Sequence, residues 1–169
     1  MPKQIIVLFL SLILSISSYA QVGRIFIGVN GLTCSQCSRT VELEIRKLPF
    51  VKDVRMALEN TEGELTLNTN TGIDYAKIAK AIADAGFSVR FVDVEYSCTN
   101  TNITEGKCTD MAGASFVFLK PKTTSLNGTY RLQLLGSTFQ PKKEAKPWLS
   151  AMKVTCPNNV KPWFVTIRK

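Results

Sequence analysis

The sequence predicts an α+β fold, with a β-α-β-β-α-β unit over residues 21–96 and a small, mostly β domain over residues 97–169. In the first part, apolar residues alternate in four short segments, which is typical of half-buried strands. In two longer segments they recur at three- to four-residue spacing, which is typical of amphipathic helices. A change in charge and a Thr/Asn-rich stretch near residue 97 predict the boundary between the two parts.

The elements of the first part follow from local patterns and from the residues that interrupt them. Strands are predicted at residues 24–29, 51–58, 64–67 and 87–94, with a turn at residues 60–63. A first helix is predicted from Ser35 to the residues before Pro49, because proline disfavours helical geometry in the residue that precedes it. Asp74 suits the N-cap of a second helix, and Gly86 suits its left-handed C-terminal end. This order folds as a split βαβ sandwich, with one four-stranded antiparallel sheet and both helices on one face.

Residues 1–20 are expected to form a signal peptide that is removed before Gln21. Lys3 precedes a twelve-residue apolar run at residues 5–16, and residues 18–20 show the small-x-small pattern of a cleavage site. A helix of this length rises only about 18 Å, which is less than the roughly 30 Å of a bilayer's hydrocarbon core. We therefore expect a periplasmic or secreted protein with no stable membrane span after cleavage.

The composition excludes several classes of protein. The chain contains no histidine, which excludes a histidine general base, a His-ligated zinc site and a haem with a histidine axial ligand. Its 169 residues fit one or two small domains and not a large enzyme, and we expect no enzymatic activity. The five cysteines are an odd number, so at least one is unpaired or has a partner outside the chain.

Charge is distributed unevenly along the chain. Residues 21–96 contain nine basic and ten acidic side chains, whereas residues 97–169 contain eleven basic and three acidic ones. A solvated, lysine-rich surface is the preferred interpretation of Lys142, Lys143 and Lys146. Contact with anionic lipid or with an acidic partner domain is the alternative. Nucleic acid is not expected as a partner outside the cytoplasm.

The residues that carry chemistry lie between the first strand and the first helix. Cys34 and Cys37 fall at or just before a helix N-terminus, where exposed N–H groups and the helix dipole stabilise a thiolate. Two thiolates separated by two residues can bind one ion from a single loop, and sulfur ligands select soft ions such as Cu(I). Gly31 allows the backbone to turn, and Leu32 is expected to point inward and hold the loop against the core.

Two other interpretations of this cysteine pair are open. The pair can form a disulfide, either structural or produced by oxidation, and a CxxC after a strand also occurs in thioredoxin-like redox proteins. Against the redox interpretation, a predicted hairpin follows the helix in place of a further crossover unit, and no aromatic residue precedes Cys34. Metal binding is therefore the preferred interpretation.

Four motifs within residues 24–95 resemble the heavy-metal-associated domain family, which includes copper chaperones, domains of metal-pumping ATPases and periplasmic mercury-binding proteins. The motifs are residues 31–37 (GLTCSQC), 41–48 (VELEIRKL), 51–54 (VKDV) and 78–87 (IAKAIADAGF). The resemblance implies a ferredoxin-like fold for this part of the chain. Two positions depart from the family pattern, because Leu32 stands where Met is usual and Phe50 where Gly is usual.

The resemblance also implies a site and a function. Cys34 and Cys37 would bind one soft ion, Cu(I) or else Hg(II), Zn or Cd, in a near-linear site with Leu32 nearby. Phe87 matches an aromatic position near the metal in bacterial members, although a core position is equally expected. The ion would pass by thiolate exchange to a metal-pumping ATPase or another metal-binding domain, in trafficking or detoxification. A thiol-disulfide redox protein and a scaffold with oxidised cysteines are the alternatives.

The second part resembles no family. Strands are predicted at residues 114–120, 130–135, 150–156 and 163–168, with a hairpin turn at residues 127–128, as a small sheet or partial barrel. Cys98, Cys108 and Cys156 allow three single-disulfide pairings, and the short loop closed by Cys98–Cys108 makes it the preferred one. Cys156 would then be buried, or it would serve as a third thiolate for the metal.

Overall fold

The computed structural model describes residues 21–68 and 73–168, so the predicted signal peptide lies outside the described residues. In chain order the elements are β1 (Gln21–Asn30), α1 (Ser35–Arg46), β2 (Val51–Ala57), β3 (Glu62–Leu67), α2 (Tyr75–Asp84), β4 (Ser88–Asn102), β5 (Cys108–Met111), β6 (Ala114–Phe118), β7 (Ser125–Leu134), α3 (Lys142–Ala145) and β8 (Trp163–Arg168). Single 3₁₀ turns lie at Lys146–Trp148 and Pro157–Asn159. No helix in the described ranges is long and apolar enough to cross a membrane.

The β-α-β-β-α-β unit predicted for the first part is confirmed. Its four strands lie in the order β2-β3-β1-β4, and every neighbouring pair is antiparallel. Ile25 and Ile27 of β1 are completely buried in one hydrophobic cluster with Val41 of α1 and Ile78 of α2. Both helices therefore cover the same face of the sheet.

The two helices begin where the sequence predicts. Cys34 is the N-cap of α1, and Asp74 is the N-cap of α2, where its carboxylate accepts a hydrogen bond from the Ala76 N–H at 3.1 Å. Each cap satisfies one of the N–H groups that a helix leaves free at its start. Gly86 has a φ of +88°, the left-handed conformation expected just after α2.

The sheet continues beyond the first part. Its full strand order is β2-β3-β1-β4-β7-β8-β6-β5, and the boundary expected near residue 97 falls inside β4, a strand of 15 residues. The outer edge of β4 pairs antiparallel with β7, from Asp93 opposite Gln133 to Asn102 opposite Ser125. The two parts of the chain therefore share one backbone hydrogen-bond network.

The hydrophobic core also spans both parts. The hydroxyls of Tyr75 in α2 and Tyr96 in β4 lie 2.6 Å apart and form a buried hydrogen bond. Phe116 of β6 is completely buried with its ring centroid 5.3 Å from that of Tyr96, and Trp163 of β8 packs edge-on against Tyr75 at 5.2 Å. Burial raises the pKa of Tyr75 to about 12, and the hydrogen bond with Tyr96 opposes that rise.

On the opposite face of the sheet, one buried carboxylate joins the two parts. Asp93 of β4 is completely buried, and its Oδ2 accepts hydrogen bonds from Arg131 Nε of β7 at 2.8 Å and from Arg168 Nη1 of β8. Burial raises the pKa of Asp93, and the two guanidinium groups oppose that rise. The same guanidiniums cover apolar rings, Arg131 over Phe26 at 4.1 Å and Arg168 over Phe91 at 4.4 Å.

Of the strands predicted for the second part, those at residues 114–120, 130–135 and 163–168 correspond to β6, the second half of β7 and β8, whereas the strand at 150–156 and the hairpin turn at 127–128 are wrong. Asn127 and Gly128 do not form a hairpin turn; they lie within β7, where Gly128 has a φ of +108°. The position faces an irregularity in β4 between Cys98 and Thr101, and glycine accommodates it. Residues 150–156 form a loop, and strand β8 lies between β6 and β7 in the sheet.

A shared sheet and core predict that both parts unfold together. Phe116→Ala removes a completely buried ring and should lower the free energy of unfolding by about 3–5 kcal/mol. Urea unfolding followed by far-UV circular dichroism, which reports α1 and α2, should coincide with unfolding followed by tryptophan fluorescence, since Trp148 and Trp163 both lie in the second part.

The substitution should move both transitions by the same amount. Leu149→Ala, at a side chain that is 51% exposed, is the matched control and should change the stability by less than about 0.5 kcal/mol. Two separate transitions, with Phe116→Ala affecting only the fluorescence one, would show that the parts fold independently.

Candidate metal centre

The loop that joins β1 to α1 is anchored to the hydrophobic core by an apolar side chain. Leu32 is only 5% exposed and packs in the main hydrophobic cluster with Val41 and Ile45 of α1. Gly31, which precedes it, has a φ of +88°, a conformation that side-chain-bearing residues rarely adopt. The inward position expected for Leu32 is therefore observed, and the residues that follow it lie at the protein surface.

Cys34 and Cys37 lie together at the N-terminus of α1. Cys34 is the N-cap, with an extended backbone, and its Sγ accepts a hydrogen bond from the backbone N–H of Cys37 at 3.2 Å. The Cα atoms of the two cysteines are 5.3 Å apart, and the structure pairs their sulfurs as a disulfide. The N–H donor and the positive end of the helix dipole both favour negative charge on sulfur once that bond is reduced.

The donor set of this site consists of two sulfurs that solvent can reach. Cys34 is exposed, and Cys37 is half-buried against the core. Across residues 21–68 and 73–168, no three Cys, His, Asp or Glu side chains are grouped so that they could hold a metal together. The alternative in which Cys156 supplies a third thiolate is wrong, because Cys156 is buried and paired with Cys108. Two thiolates with open space around them fit a soft ion of low coordination number.

Phe87 lies beside the loop of residues 31–34 that leads into α1, called the metal loop below, and also belongs to the core. Its side chain is half-buried and packs against the main cluster. A ring carbon lies 3.6 Å from the position that a Cβ would occupy on Gly31. The two roles considered for Phe87 are thus compatible, since the ring packs against the core and also lies against the turn that precedes Cys34.

The three remaining cysteines do not take the preferred arrangement. The structure pairs Cys108 of β5 with Cys156, at a Cα–Cα distance of 5.7 Å, so the expected Cys98–Cys108 bond is wrong. Cys98 lies on the core face of β4, only 3% exposed, and is unpaired. The physical reason is that β4 continues past Cys98. The strand directs the Cys98 side chain into the core and away from the loop that would have closed the short disulfide. Burial raises the pKa of the Cys98 thiol.

The comparisons with known proteins place the cysteine loop within a known domain. Residues 26–88 match the family model described as the heavy-metal-associated domain. This part of the chain is a heavy-metal-associated domain. The match contains Cys34 and Cys37 and ends at the first residue of β4, so it leaves out the whole second part.

The curated relatives are copper-transporting ATPases that are far longer than this chain. Over 63 residues, 37% of this chain, it is 38% identical to copper-transporting ATPase 1 of Rhizobium meliloti. Over 66 residues, 39% of this chain, it is 42% identical to the copper-transporting ATPase RAN1 of Arabidopsis thaliana. The aligned regions span 7% and 6% of those two proteins.

Solved structures match the same part of the chain. The crystal structure of oxidised MerP from Ralstonia metallidurans CH34 is 30% identical, with a TM-score of 0.37, and the alignment covers 41% of this chain and 94% of that one. A copper-binding domain from the P-type ATPase HMA7 is 28% identical, with a TM-score of 0.37, over 41% of this chain and 92% of that one.

Sequence reasoning missed the neighbourhood that the second part gives to this domain. Asn30 and Phe87, which flank the heavy-metal-associated domain's cysteine loop, line a groove together with Gln140, Pro141 and Lys142. Residues 136–142 show neither the alternation of a strand nor the periodicity of a helix, so the sequence does not predict where they lie in the fold. The pairing of β7 with β4 and the packing of Phe139 on Trp163 bring this segment to the first domain.

The cysteine arrangement predicts a specific count of reactive thiols. In the absence of reductant, the native protein should show no thiol that reacts with a maleimide, and the protein unfolded in guanidinium should show one. The reason is that Cys98 is buried while the other four cysteines are paired. Mass spectrometry of the alkylated peptides identifies the residue.

Cys98→Ala is the matched control, and its unfolded form should show no reactive thiol. Mild anaerobic reduction should then expose Cys34 to alkylation first, since it is the more exposed member of its pair. Three reactive thiols in the unreduced, unfolded protein would show that one of the two pairs is absent.

Proposed function

We propose that the chain is a metal-trafficking protein that binds one Cu(I) ion through the reduced thiolates of Cys34 and Cys37. The observation that supports this most strongly is the placement of both sulfurs at the N-terminus of α1, with the Cys37 N–H donating to Cys34 Sγ. That geometry stabilises two thiolates in one exposed loop, and soft sulfur ligands select Cu(I) over harder ions. The heavy-metal-associated family of this segment agrees with the assignment.

The transfer step in this proposal is ligand exchange. A Cu(I) ion held by Cys34 and Cys37 keeps room for a third sulfur, because Cys34 faces solvent and nothing in the described residues supplies another ligand. A thiolate of the partner adds to the ion, one cysteine of this chain then leaves, and the second exchange follows. The ion keeps its charge throughout, and no free metal is released. The chain acts as a carrier in this scheme and catalyses no chemical reaction.

The proposed place of action is the periplasm or the exterior of the cell. The support is the sequence of residues 1–20, with an apolar run and a small-x-small end. The pairing of Cys108 with Cys156 suits an oxidising compartment. In that compartment Cys34 and Cys37 must be kept reduced, either by the bound ion or by a reductant.

The proposed partner is a copper-pumping ATPase or another metal-binding domain, in line with the relatives of this segment.

Metal binding through the cysteine pair is tested with variants of the full mature chain. The wild type, reduced mildly and handled without oxygen, should remove one equivalent of Cu(I) from bicinchoninate per chain. Cys34→Ser/Cys37→Ser should lose this competition entirely, because serine oxygen is a poor ligand for a soft ion. Elemental analysis of the protein after gel filtration gives the stoichiometry independently.

Cys108→Ser/Cys156→Ser is the matched control, since it removes the same number of sulfurs at a distance from the loop. It should retain one tightly bound Cu(I). Equal binding by the two double variants would overturn the assignment of the site, and circular dichroism establishes that each variant is folded.

A thiol-disulfide redox function is the second candidate, because the structure pairs Cys34 with Cys37 as a disulfide. An N-cap cysteine with an N–H donor at its sulfur is also what a reactive redox pair requires. Reduction of insulin disulfides by dithiothreitol separates the two candidates. A redox protein accelerates that reaction, and Cys34→Ser abolishes the acceleration; the metal-carrier proposal predicts the same rate with and without the protein.

A further inference from the structure

A groove lies beside the metal loop, between the heavy-metal-associated domain and the second part of the chain. It has a volume of about 320 Å³. One wall is formed by Ala79 and Ala83 of α2 and by the half-buried ring of Phe87. The other wall is formed by residues 137–142, which lie outside the segment that matches the family. The groove is thus a feature of this chain and not of the domain alone.

The second wall is firmly anchored. Gly136 turns the chain with a φ of +112°, and its N–H donates to the side-chain oxygen of the buried Gln140 at 3.3 Å. Phe139 is 5% exposed, and its ring packs against Trp163 at 5.8 Å. Its backbone N–H also donates to the Gly136 carbonyl at 3.0 Å. The two hydrogen bonds hold the shape of the segment, and the contact of Phe139 with Trp163 joins it to β8.

The groove is lined both by residues beside the metal loop and by the first residue of a cluster of lysines. Asn30 ends β1 just before the loop, and Phe87 lies against Gly31. Lys142 lines the groove and begins α3, and Lys143 and Lys146 follow it with Glu144 between them; all four side chains are exposed. Among the described residues of the second part, no lysine forms an ion pair, although arginines of the same part are paired with Asp93. The cluster therefore keeps a net positive charge that is available to a partner.

We propose that this groove and its lysines are the docking surface for an acidic metal-binding domain that exchanges the ion with Cys34 and Cys37. The inference rests on the proposed function and adds the part of the chain that selects the partner. Charge complementarity supports the choice of occupant, since residues 97–169 carry eleven basic and three acidic side chains. Opposite charge raises the rate of encounter and orients the two proteins, which shortens the search for the exchange geometry.

The test measures transfer of Cu(I) from the full mature chain to two acceptors. Both are versions of the 63-residue region of Rhizobium copper-transporting ATPase 1 that aligns with this chain. One version carries added glutamates around its metal loop, and the other is neutral there. Lys142→Glu/Lys143→Glu/Lys146→Glu should slow transfer to the acidic acceptor by about tenfold or more, and should leave transfer to the neutral one unchanged. Added salt should slow wild-type transfer to the acidic acceptor.

Two matched controls separate a local surface from a general charge effect. Lys107→Glu/Lys153→Glu/Lys161→Glu makes the same change in net charge at exposed lysines that do not line the groove, and should leave both rates unchanged. Ala83→Trp fills the groove without changing charge and should slow transfer at any salt concentration. Thr99→Trp, at an exposed position of β4, is its control.

The outcomes distinguish this inference from the function on which it rests. If the wild type binds no Cu(I) from bicinchoninate, the proposed function fails. If binding is intact but both lysine triples slow transfer equally, or neither slows it, the docking surface is overturned and the metal site stands. Cosedimentation with phosphatidylglycerol vesicles that only the Lys142 triple abolishes, together with an unchanged transfer rate, would assign these lysines to lipid and would also overturn the proposal.

Discussion

The outer edge of β4 is the constraint on which the rest of this structure depends. In a β-α-β-β-α-β unit the last strand lies at an edge of the sheet, with N–H and C=O groups that no neighbour satisfies. Here β4 is long enough to pair with β1 through its first part and with β7 through its second. Closing this edge removes a site of unspecific strand pairing, and it fixes the second part of the chain in register with the metal-binding domain.

Charge follows the same division. The first part has a slight excess of acidic side chains and the second a large excess of basic ones. At the seam, the buried carboxylate of Asp93 receives Arg131 and Arg168 from the two strands that extend the sheet. A buried carboxylate without partners would be costly, and guanidinium groups in water gain little from being near one. The pairing therefore has its effect only when β4, β7 and β8 are adjacent, and so it favours this strand order over others.

Local sequence patterns predict the first part well, because its elements are defined by neighbours in the chain. Pro49 ends the stretch that contains α1, Asp74 caps α2 and Gly86 ends it. The cysteine pair was also predictable, since its position before a helix follows from the same pattern. No local pattern, however, indicates which residues that are far apart in the sequence come into contact in the fold. The position of Phe87 against Gly31 is an example.

The second part shows where tertiary structure overrides local preference. Asn127 and Gly128 are typical of a hairpin turn, yet pairing along β4 holds them in an extended strand. Residues 150–156 alternate like a strand, but both edges of the following strand, β8, are already paired with β6 and β7. The segment therefore packs as a loop, and the disulfide at Cys156 holds it in place. The expected Cys98–Cys108 bond fails for a similar reason, because β4 remains a strand past Cys98 and turns that side chain into the core.

Under the proposed function, the groove beside the loop gives an open site a means of selecting its partner. Exchange of a metal between thiolates requires exposed sulfurs with space around the ion, and Cys34 meets that requirement. An exposed two-sulfur site has few contacts of its own with which to distinguish one thiol-bearing protein from another. Additional ligands would give selectivity but would also hold the ion more tightly and slow its release. A wall placed beside the loop, outside the coordination sphere, avoids this conflict. Residues 137–142 occupy that place, and the strand pairing that holds them there is the same one that closes the edge of β4.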